Sequence, residues 1–368
     1  MNKKNMSLIA CGLLFSASSL FAESTIKEAI EAGKVSGDVT VNYEKKTEKA
    51  AGAADYGFTA GTLGLAFETG SVNNFNAKVG FRAGHEFAEE KEGDFDASFA
   101  NNSLMTEALI KYTGQSGSLT VGRQEIDLEW LGDYNEAVVA QITAIKDITI
   151  TAGFSKRQAE ADGDDIGAFT QVTQDGVYVL DVKHNLNKNI TVNPYFYSAV
   201  DVADIYGIKA SFSNDMFGIM GHYAATNEDV TGTKDGNIAQ LELNANVGPV
   251  SLVGGFITTN KDGAIGSMAT YGDNIDPTEE IGDAIYGTDA DSFYATVSGN
   301  VAGVDLGLLY ANSEYKSGST NKELDEVTFT ASHNFSDELN FKFIYSTVDG
   351  DTTADEYDKV TAAVAYSF

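Results

Sequence analysis

The sequence has little of several residue types on which common folds and functions depend. Its 368 residues include one cysteine, three prolines and one tryptophan. Twenty-four lysines and arginines stand against 54 aspartates and glutamates, so the net charge is −30 and no basic cluster is available for a nucleic-acid backbone. No apolar run reaches the roughly 18 residues that a membrane-spanning helix requires. Nucleic acid is therefore excluded as a partner, and a bundle of membrane helices is excluded as a fold.

Residues 1–22 have the pattern of a bacterial signal peptide. Two lysines precede an apolar run that ends at Phe21, and small residues lead to a predicted cleavage site after Ala22. A lipoprotein signal ending at Cys11 is the alternative, but the apolar run continues beyond that cysteine. Cleavage after Ala22 leaves a mature chain without cysteine, which excludes disulfides and thiol chemistry. Residues 23–34 are then predicted to be a short periplasmic segment.

The mature chain is dominated by alternation of apolar and polar side chains. Residues 35–44 alternate strictly, and the same period of two recurs in 75–82, 178–183, 339–346 and 360–368. A period of two is the pattern of a β-strand with two different faces. About eighteen such segments can be counted, so the fold class is all-β.

The connections between these segments alternate in length. Eight short turns rich in Gly, Asn and Asp separate nine longer, mostly acidic segments, among them 199–204, 260–290 and 314–324. A soluble β-sandwich is the competing interpretation, but it gives no reason for this alternation. The pattern predicts a transmembrane antiparallel β-barrel over residues 35–368, with about 18 strands (16 as the alternative count), short periplasmic turns and long extracellular loops.

One face of the predicted strands is almost free of charge, and the other carries both signs. Charges on a lipid-facing strand surface cost several kcal/mol, whereas a water-filled lumen tolerates them. Tyrosines near the strand ends of the uncharged face are typical of the aromatic girdles of outer-membrane barrels. The predicted lumen-lining residues are Asp38, Lys78, Glu107, Asp181, Lys183, Lys209, Glu242, Asp305 and Lys342.

Three segments carry a resemblance to a known family. They are the strand start at 29–43, the Gly-Arg-Gln segment within 119–127, and the last strand, 360–368. These segments resemble the OprD-like porins, and among them the "Opr family" and the major outer-membrane porin of epsilonproteobacteria. The resemblance implies an eighteen-stranded, usually trimeric channel of the Gram-negative outer membrane. Anion-guiding members carry a ladder of lumen arginines, whereas this chain has three arginines in all.

The terminal strand ends on Tyr366 and Phe368. This aromatic ending resembles the signal by which the barrel-assembly machinery recognises its clients. The alternative is that Phe368 is simply the last outward residue of the strand.

The segment that follows the fifth predicted strand is the candidate constriction loop. Its acids are expected to face bases across the lumen and to create a transverse field, although strict alternation places Arg123 on the outer face. The alternative is a short solvated outer loop with Trp130 in the aromatic girdle. The candidate constriction residues are the acids Asp127, Glu129, Asp133 and Glu136 and the bases Arg82, Lys111 and Arg123.

The predicted function is passive diffusion of small hydrophilic solutes and ions, with a preference for cations because acids outnumber bases. The alternatives are a surface adhesin or structural barrel without an open pore, and a substrate-specific channel. No enzyme motif and no cofactor are predicted, and the expected partners are outer-membrane lipid and lipopolysaccharide. Calcium in the acidic segments at 162–165 and 276–280 is the metal alternative to simple solvation.

Overall fold

The computed structural model describes residues 25–95, 98–272 and 275–368. Within them the chain forms one closed antiparallel barrel of 18 strands, and a two-residue strand at Thr170–Gln171 pairs with the end of the seventh strand without forming part of the closed wall. The predicted signal peptide lies outside the described residues. The first nine strands are β1 (Lys34–Glu48), β2 (Tyr56–Glu68), β3 (Phe75–Glu89), β4 (Ser103–Gly114), β5 (Gly117–Glu125), β6 (Tyr134–Ile142), β7 (Ile148–Ala159), β8 (Val177–Asn187) and β9 (Ile190–Ala199). The other nine are β10 (Ala203–Ser213), β11 (Phe217–Glu228), β12 (Asn237–Val247), β13 (Val250–Thr259), β14 (Thr288–Val301), β15 (Val304–Ser317), β16 (Thr320–Asn334), β17 (Leu339–Gly350) and β18 (Tyr357–Ser367).

The barrel closes where β1 pairs with β18. The register runs from Asp38 opposite Ser367 to Glu48 opposite Tyr357. Beyond it, the Gly37 amide donates to the Phe368 carbonyl at 3.0 Å, and the Phe368 amide donates to the Gly37 carbonyl at 2.9 Å. Because β1 also pairs with β2, the sheet has no free edge.

Connections alternate between a short-turn end and a long-loop end, as the sequence predicts, with two corrections. The expected long segments 199–204 and 314–324 are connections of only three and two residues, at 200–202 and 318–319. Pairing continues to Ala199 opposite Ala203 and to Ser317 opposite Thr320, so the polar residues there belong to strands.

The two faces of the wall differ as the alternation predicts. On β1, Val39, Val41 and Tyr43 are exposed on the outer face, whereas Thr40 and Asn42 on the inner face are buried. The outer apolar side chains have no protein partner layer, so the buried core must lie inside the barrel.

Three helical turns complete the described chain. Helix α1 (Ile26–Glu31) precedes the barrel and begins at a capping box between Thr25 and Glu28. Helix α2 (Gly282–Ile285) and a 3₁₀ turn (Met268–Thr270) lie in the connection between β13 and β14. No helix in the described ranges has the length and apolar character needed to cross a membrane.

Two glycines give a matched test of the wall. Gly122 on β5 has φ +122°, and a Cβ there would lie 2.1 Å from the Ala108 carbonyl oxygen, whereas a Cβ on Gly221 meets nothing within 4 Å. We expect Gly122→Ala to lower the free energy of unfolding by about 1–3 kcal/mol, because backbone strain and a clash add. We expect Gly221→Ala to leave it nearly unchanged. Urea unfolding in detergent, followed by Trp130 fluorescence, measures both, and equal midpoints would contradict the strained role of Gly122.

Candidate functional site

The loop between β5 and β6, residues 126–133, folds into the lumen. Trp130 is fully buried, and its indole N–H donates to the Tyr195 hydroxyl at 2.9 Å. That hydroxyl lies 2.7 Å from Nε2 of His222 on β11. The structure therefore places Trp130 inside the barrel and not in an outer aromatic girdle.

The same loop brings an acid to a lysine on a strand that is not its neighbour in the sheet. Glu129 accepts a hydrogen bond from the Lys209 ammonium of β10 at 3.0 Å, and its other oxygen is 3.9 Å from Nδ1 of His222. Beneath the loop lies a cavity of about 470 Å³, which we call the β8–β10 cavity. Its lining residues are Asp127, Leu128, Glu129, Gln141, Thr149, Thr151, Asp181, Lys183, Asn193 and Lys209.

A second loop, residues 160–176 between β7 and β8, also enters the lumen. Ile166 is fully buried against Phe58 and Phe99, and the Gly163 carbonyl accepts a hydrogen bond from Thr62 on β2 at 3.1 Å. The sequence interpretation treated this segment as a solvated acidic loop. The apolar side chains of Ile166 and Phe169 within this acidic stretch are the sequence signals against that interpretation.

The longest connection, residues 260–287, bridges the lumen. On one side the Tyr271 carbonyl accepts hydrogen bonds from the Gly132 amide and from Gln158, both at 3.1 Å. On the other side the carboxylate of Glu326 on β16 accepts the amides of residues 279, 280 and 281 at 3.1, 3.0 and 3.2 Å. Glu326 is fully buried, so these bonds are shielded from water. The bridge is thus held at both ends by the barrel and by the 126–133 loop.

Four of the predicted charges form two ion pairs on the wall of β1–β4. Arg82 contacts both carboxylate oxygens of Asp38, at 2.6 and 2.9 Å, and Lys78 lies 2.7 Å from Glu107. They line a cavity of about 370 Å³, which we call the β1–β4 cavity. In strand order this wall lies about a third of the way round the barrel from β8–β10.

The expected pairing across the lumen requires correction at Arg123 and Glu136. Arg123 donates to Glu136 at 2.9 and 3.0 Å, but the two residues are neighbours on adjacent strands. Both share the face of the outward residue Val121, and Arg157 also contacts Glu136 at 3.4 Å. Phe169 covers the Arg123 guanidinium at 4.2 Å. Arg123 and Glu136 therefore follow the alternation of their strands and lie on the outer side of the wall at the long-loop end, not in the lumen constriction.

The other predicted residues do not form one cluster. Asp133 accepts a hydrogen bond from Gln158 at 3.2 Å, and Lys111 lies on β4 opposite Asn76 and Thr120. The remaining wall candidates lie on the inner face: Asp181 accepts from Asn193 at 3.0 Å, Glu242 from Tyr294 at 2.7 Å and Asp305 from Asn300 at 2.8 Å, while Lys183 and Lys342 extend into the lumen.

The acidic segments considered for calcium use carboxylate oxygens in local turns. Asp162 accepts the amides of residues 164 and 165, and Asp276 accepts the amide and hydroxyl of Thr278. The described part of the chain holds no group of three or more His, Cys, Asp or Glu placed to bind a metal ion.

The architecture is similar to that of several solved structures. OccK3 (OpdO) of Pseudomonas aeruginosa has a TM-score of 0.75 at 14% identity, with 93% of this chain and 97% of that one covered. OccK9 (OpdG) of the same organism gives 0.76 at 13%, covering 92% and 99%, and OccAB4 of Acinetobacter baumannii gives 0.74 at 11%, covering 91% and 98%. The fold is that of the OprD/Occ porins. No protein-family model and no curated protein matches the sequence.

Removal of the Glu326 carboxylate tests the anchoring of the 260–287 bridge. Glu326→Ala leaves three backbone amides without their acceptor, and we expect the bridge to detach from β16. Chymotrypsin should then cleave after Tyr271, which is buried in the folded protein. Glu314→Ala removes an exposed acid from neighbouring β15 and should leave the site protected. Equal protection in both variants would contradict the anchoring role.

The tip of the 160–176 loop is expected to respond to pH. The pKa of Asp164 is raised to about 7, mainly because the loop position removes it from bulk water and secondly because of the hydrogen bond and the negative charge of Asp162. Burial raises the pKa of Asp165 to about 6. Asp164 keeps contact with lumen water, which screens part of this effect. Because both values lie above the usual range near 4, the docked loop favours the protonated acids. Docking is therefore strongest at low pH and weakens as the pH rises through about 7.

Hydrogen exchange of the amides of 160–167, corrected for the intrinsic pH dependence of exchange, measures this response. We expect greater protection at pH 5 than at pH 8, and Asp164→Asn should remove most of the difference. Asp147→Asn, in a short turn at the other end of the barrel, is the matched control. Equal protection of the unaltered chain at both pH values would contradict the prediction.

Proposed function

We propose that this chain is an outer-membrane channel for the passive diffusion of small hydrophilic solutes and ions, with a preference for cations. The observation that carries the proposal is a closed 18-strand wall with an apolar outer face and a charged inner face. A barrel of this size is too wide for its wall side chains to fill. A polar lumen inside an apolar shell is the arrangement that lets water and solutes cross a bilayer.

The preference for cations rests on the acids that the loops bring inside. Wall bases are largely matched by acids, as in the Arg82–Asp38 and Lys78–Glu107 pairs. The loop tip at Asp162 and Asp164 adds negative charge to the lumen without an equal number of bases. A negative constriction concentrates cations and repels anions, more strongly at low salt.

The specific alternative is a narrower, substrate-selective channel. Two loops and the 260–287 bridge reduce the free lumen to separate cavities lined by charged side chains. A pore so narrowed selects by contact with its walls as well as by size. A barrel that serves only as a surface anchor has no need of such an interior.

Conductance of the purified barrel in a planar bilayer tests the channel. We expect discrete steps and, under a KCl gradient at pH 8, a reversal potential on the cation side. The double substitution Asp162→Asn, Asp164→Asn should reduce that selectivity measurably, because it removes two lumen charges. Asp215→Asn, in a turn at the opposite end, should have a smaller effect.

The outcomes separate the alternatives. A reversal potential on the anion side contradicts the cation preference and leaves the channel in place. A folded barrel without any conductance contradicts the channel itself and favours a surface anchor.

A further inference from the structure

Two of the three arginines lie together on the outer face of the wall, at the long-loop end. Arg123 of β5 and Arg157 of β7 both contact Glu136 of β6, the strand between them. Both contacts go to the same carboxylate oxygen, Oε1, at 2.9 and 3.4 Å. Two positive charges therefore share one negative charge, and the three groups together carry one positive charge in excess. We call the two guanidinium groups the outer arginine pair.

The outer arginine pair differs from lysines at the same end of the barrel. Lys45 lies 2.5 Å from Glu90, and Lys316 lies 2.5 Å from Asp289, so each of these lysines has an acid of its own. Glu125, the next acid along β5, forms no ion pair with either arginine in the described part of the chain. A local excess of positive charge on the outside of a protein with a net charge of −30 requires a negatively charged partner from elsewhere.

The 160–176 loop holds both guanidinium groups in place. The Phe169 ring covers Arg123 at 4.2 Å, and the Phe169 carbonyl accepts a hydrogen bond from Arg157. Arg123 also donates to the Met105 carbonyl at 2.9 Å. Together with the bonds to Glu136, these contacts use about half of the N–H groups that two arginines carry. The arginine side chains stay 27% and 39% exposed, so a ligand outside the barrel can reach them.

Apolar side chains lie next to the outer arginine pair on the same face. Val121 precedes Arg123 by two residues and lies opposite Val138, just as Arg123 lies opposite Glu136. Both valines are exposed on the outer face, and Met105 on neighbouring β4 is exposed as well. A ligand here meets positive charge at the long-loop end and an apolar surface directly beside it. A phosphate joined to hydrocarbon chains has this chemistry, because the guanidinium fork matches phosphate oxygens.

We propose that the outer arginine pair binds a phosphate group of lipopolysaccharide, with the acyl chains lying along Val121 and Val138. The inference goes beyond the proposed channel and rests only on the proposed placement of the barrel in an outer membrane. Inorganic phosphate satisfies the arginines but leaves the apolar surface uncovered, so the site favours a phosphorylated lipid over the free anion.

Native mass spectrometry of the full-length barrel with lipid A, the phosphorylated lipid part of lipopolysaccharide, measures the binding directly. EDTA is present throughout, so that no divalent cation bridges the lipid to acidic loops. We expect lipid A to bind about tenfold more tightly than the same lipid without its phosphates, because charge-assisted hydrogen bonds to the phosphate are lost in the latter. Inorganic phosphate at the same concentration should not displace lipid A.

Matched variants test the residues. Arg123→Gln, Arg157→Gln should weaken lipid A binding about tenfold. Lys45→Gln, Lys316→Gln also removes two bases, but each of these has its own acid, so binding should stay within about twofold of the unaltered chain. Arg157→Gln alone breaks fewer contacts and should weaken binding about threefold if the double variant does not fold. Heat-modifiable migration on a gel shows which variants are folded.

Glu136→Gln separates lipid binding from a purely structural role of the ion pair. The substitution removes the competing negative charge and keeps a hydrogen-bond acceptor for the guanidinium groups. We therefore expect lipid A to bind about threefold more tightly, because both positive charges are then available to the phosphate. A structural ion pair alone predicts a lower melting temperature without tighter binding, and that result would contradict the proposal.

The lipid site and the channel can fail separately. Equal lipid A binding by the double arginine variant and the unaltered chain overturns the site and leaves the channel, as does displacement by inorganic phosphate. Unchanged lipid A binding with loss of an oligomer in the arginine variants also overturns it and assigns the patch to a second copy of the chain. A barrel that does not conduct but binds lipid A through the arginines overturns the channel and retains the site.

Discussion

The closed ladder of backbone hydrogen bonds is the constraint on which the rest of the structure depends. Once β1 meets β18, every strand has two partners and every second side chain points inward. A slip of one residue would exchange the two faces, so the apolar alternation fixes the register of the strands. Register shifts are few, and some of them, such as the one between Glu136 and Ala137, lie near the long-loop end, where strand pairing meets loop geometry.

The closed wall also explains why the core is made by loops. A barrel this wide cannot be filled from its own walls, so apolar loop residues such as Trp130, Ile166 and Tyr271 supply the buried interior. They are held by charged or polar wall residues, Lys209 for the first loop and Glu326 for the bridge. Wall charges therefore have two roles, since some position loops and others face the remaining free space.

The fold could be predicted to a large extent from the sequence, and the loop positions could not. A period of two is a local property, so alternation alone places Asp38 or Glu242 on the inner face. Whether a loop folds inward depends on contacts with strands far away in sequence, as between Gly163 and Thr62. Glu326 resembles any other wall acid in the sequence, and only the position of residues 279–281 shows what it binds. Arg123 is the opposite case. Strict alternation predicted its outer position correctly, whereas its assignment to the lumen constriction was wrong.

The pairing of charges limits what the net charge can do. All three arginines are engaged, Arg82 with Asp38, and Arg123 and Arg157 with the one carboxylate of Glu136. No arginine is left to form a free basic path along the lumen, despite a fold shared with the OprD/Occ porins. A wall charge that is already in an ion pair is not available to bind a charged solute. Selectivity by direct contact therefore depends on wall groups that are not already paired. The excess of acids over bases then sets the sign of the long-range field that a charged solute meets on entering the lumen.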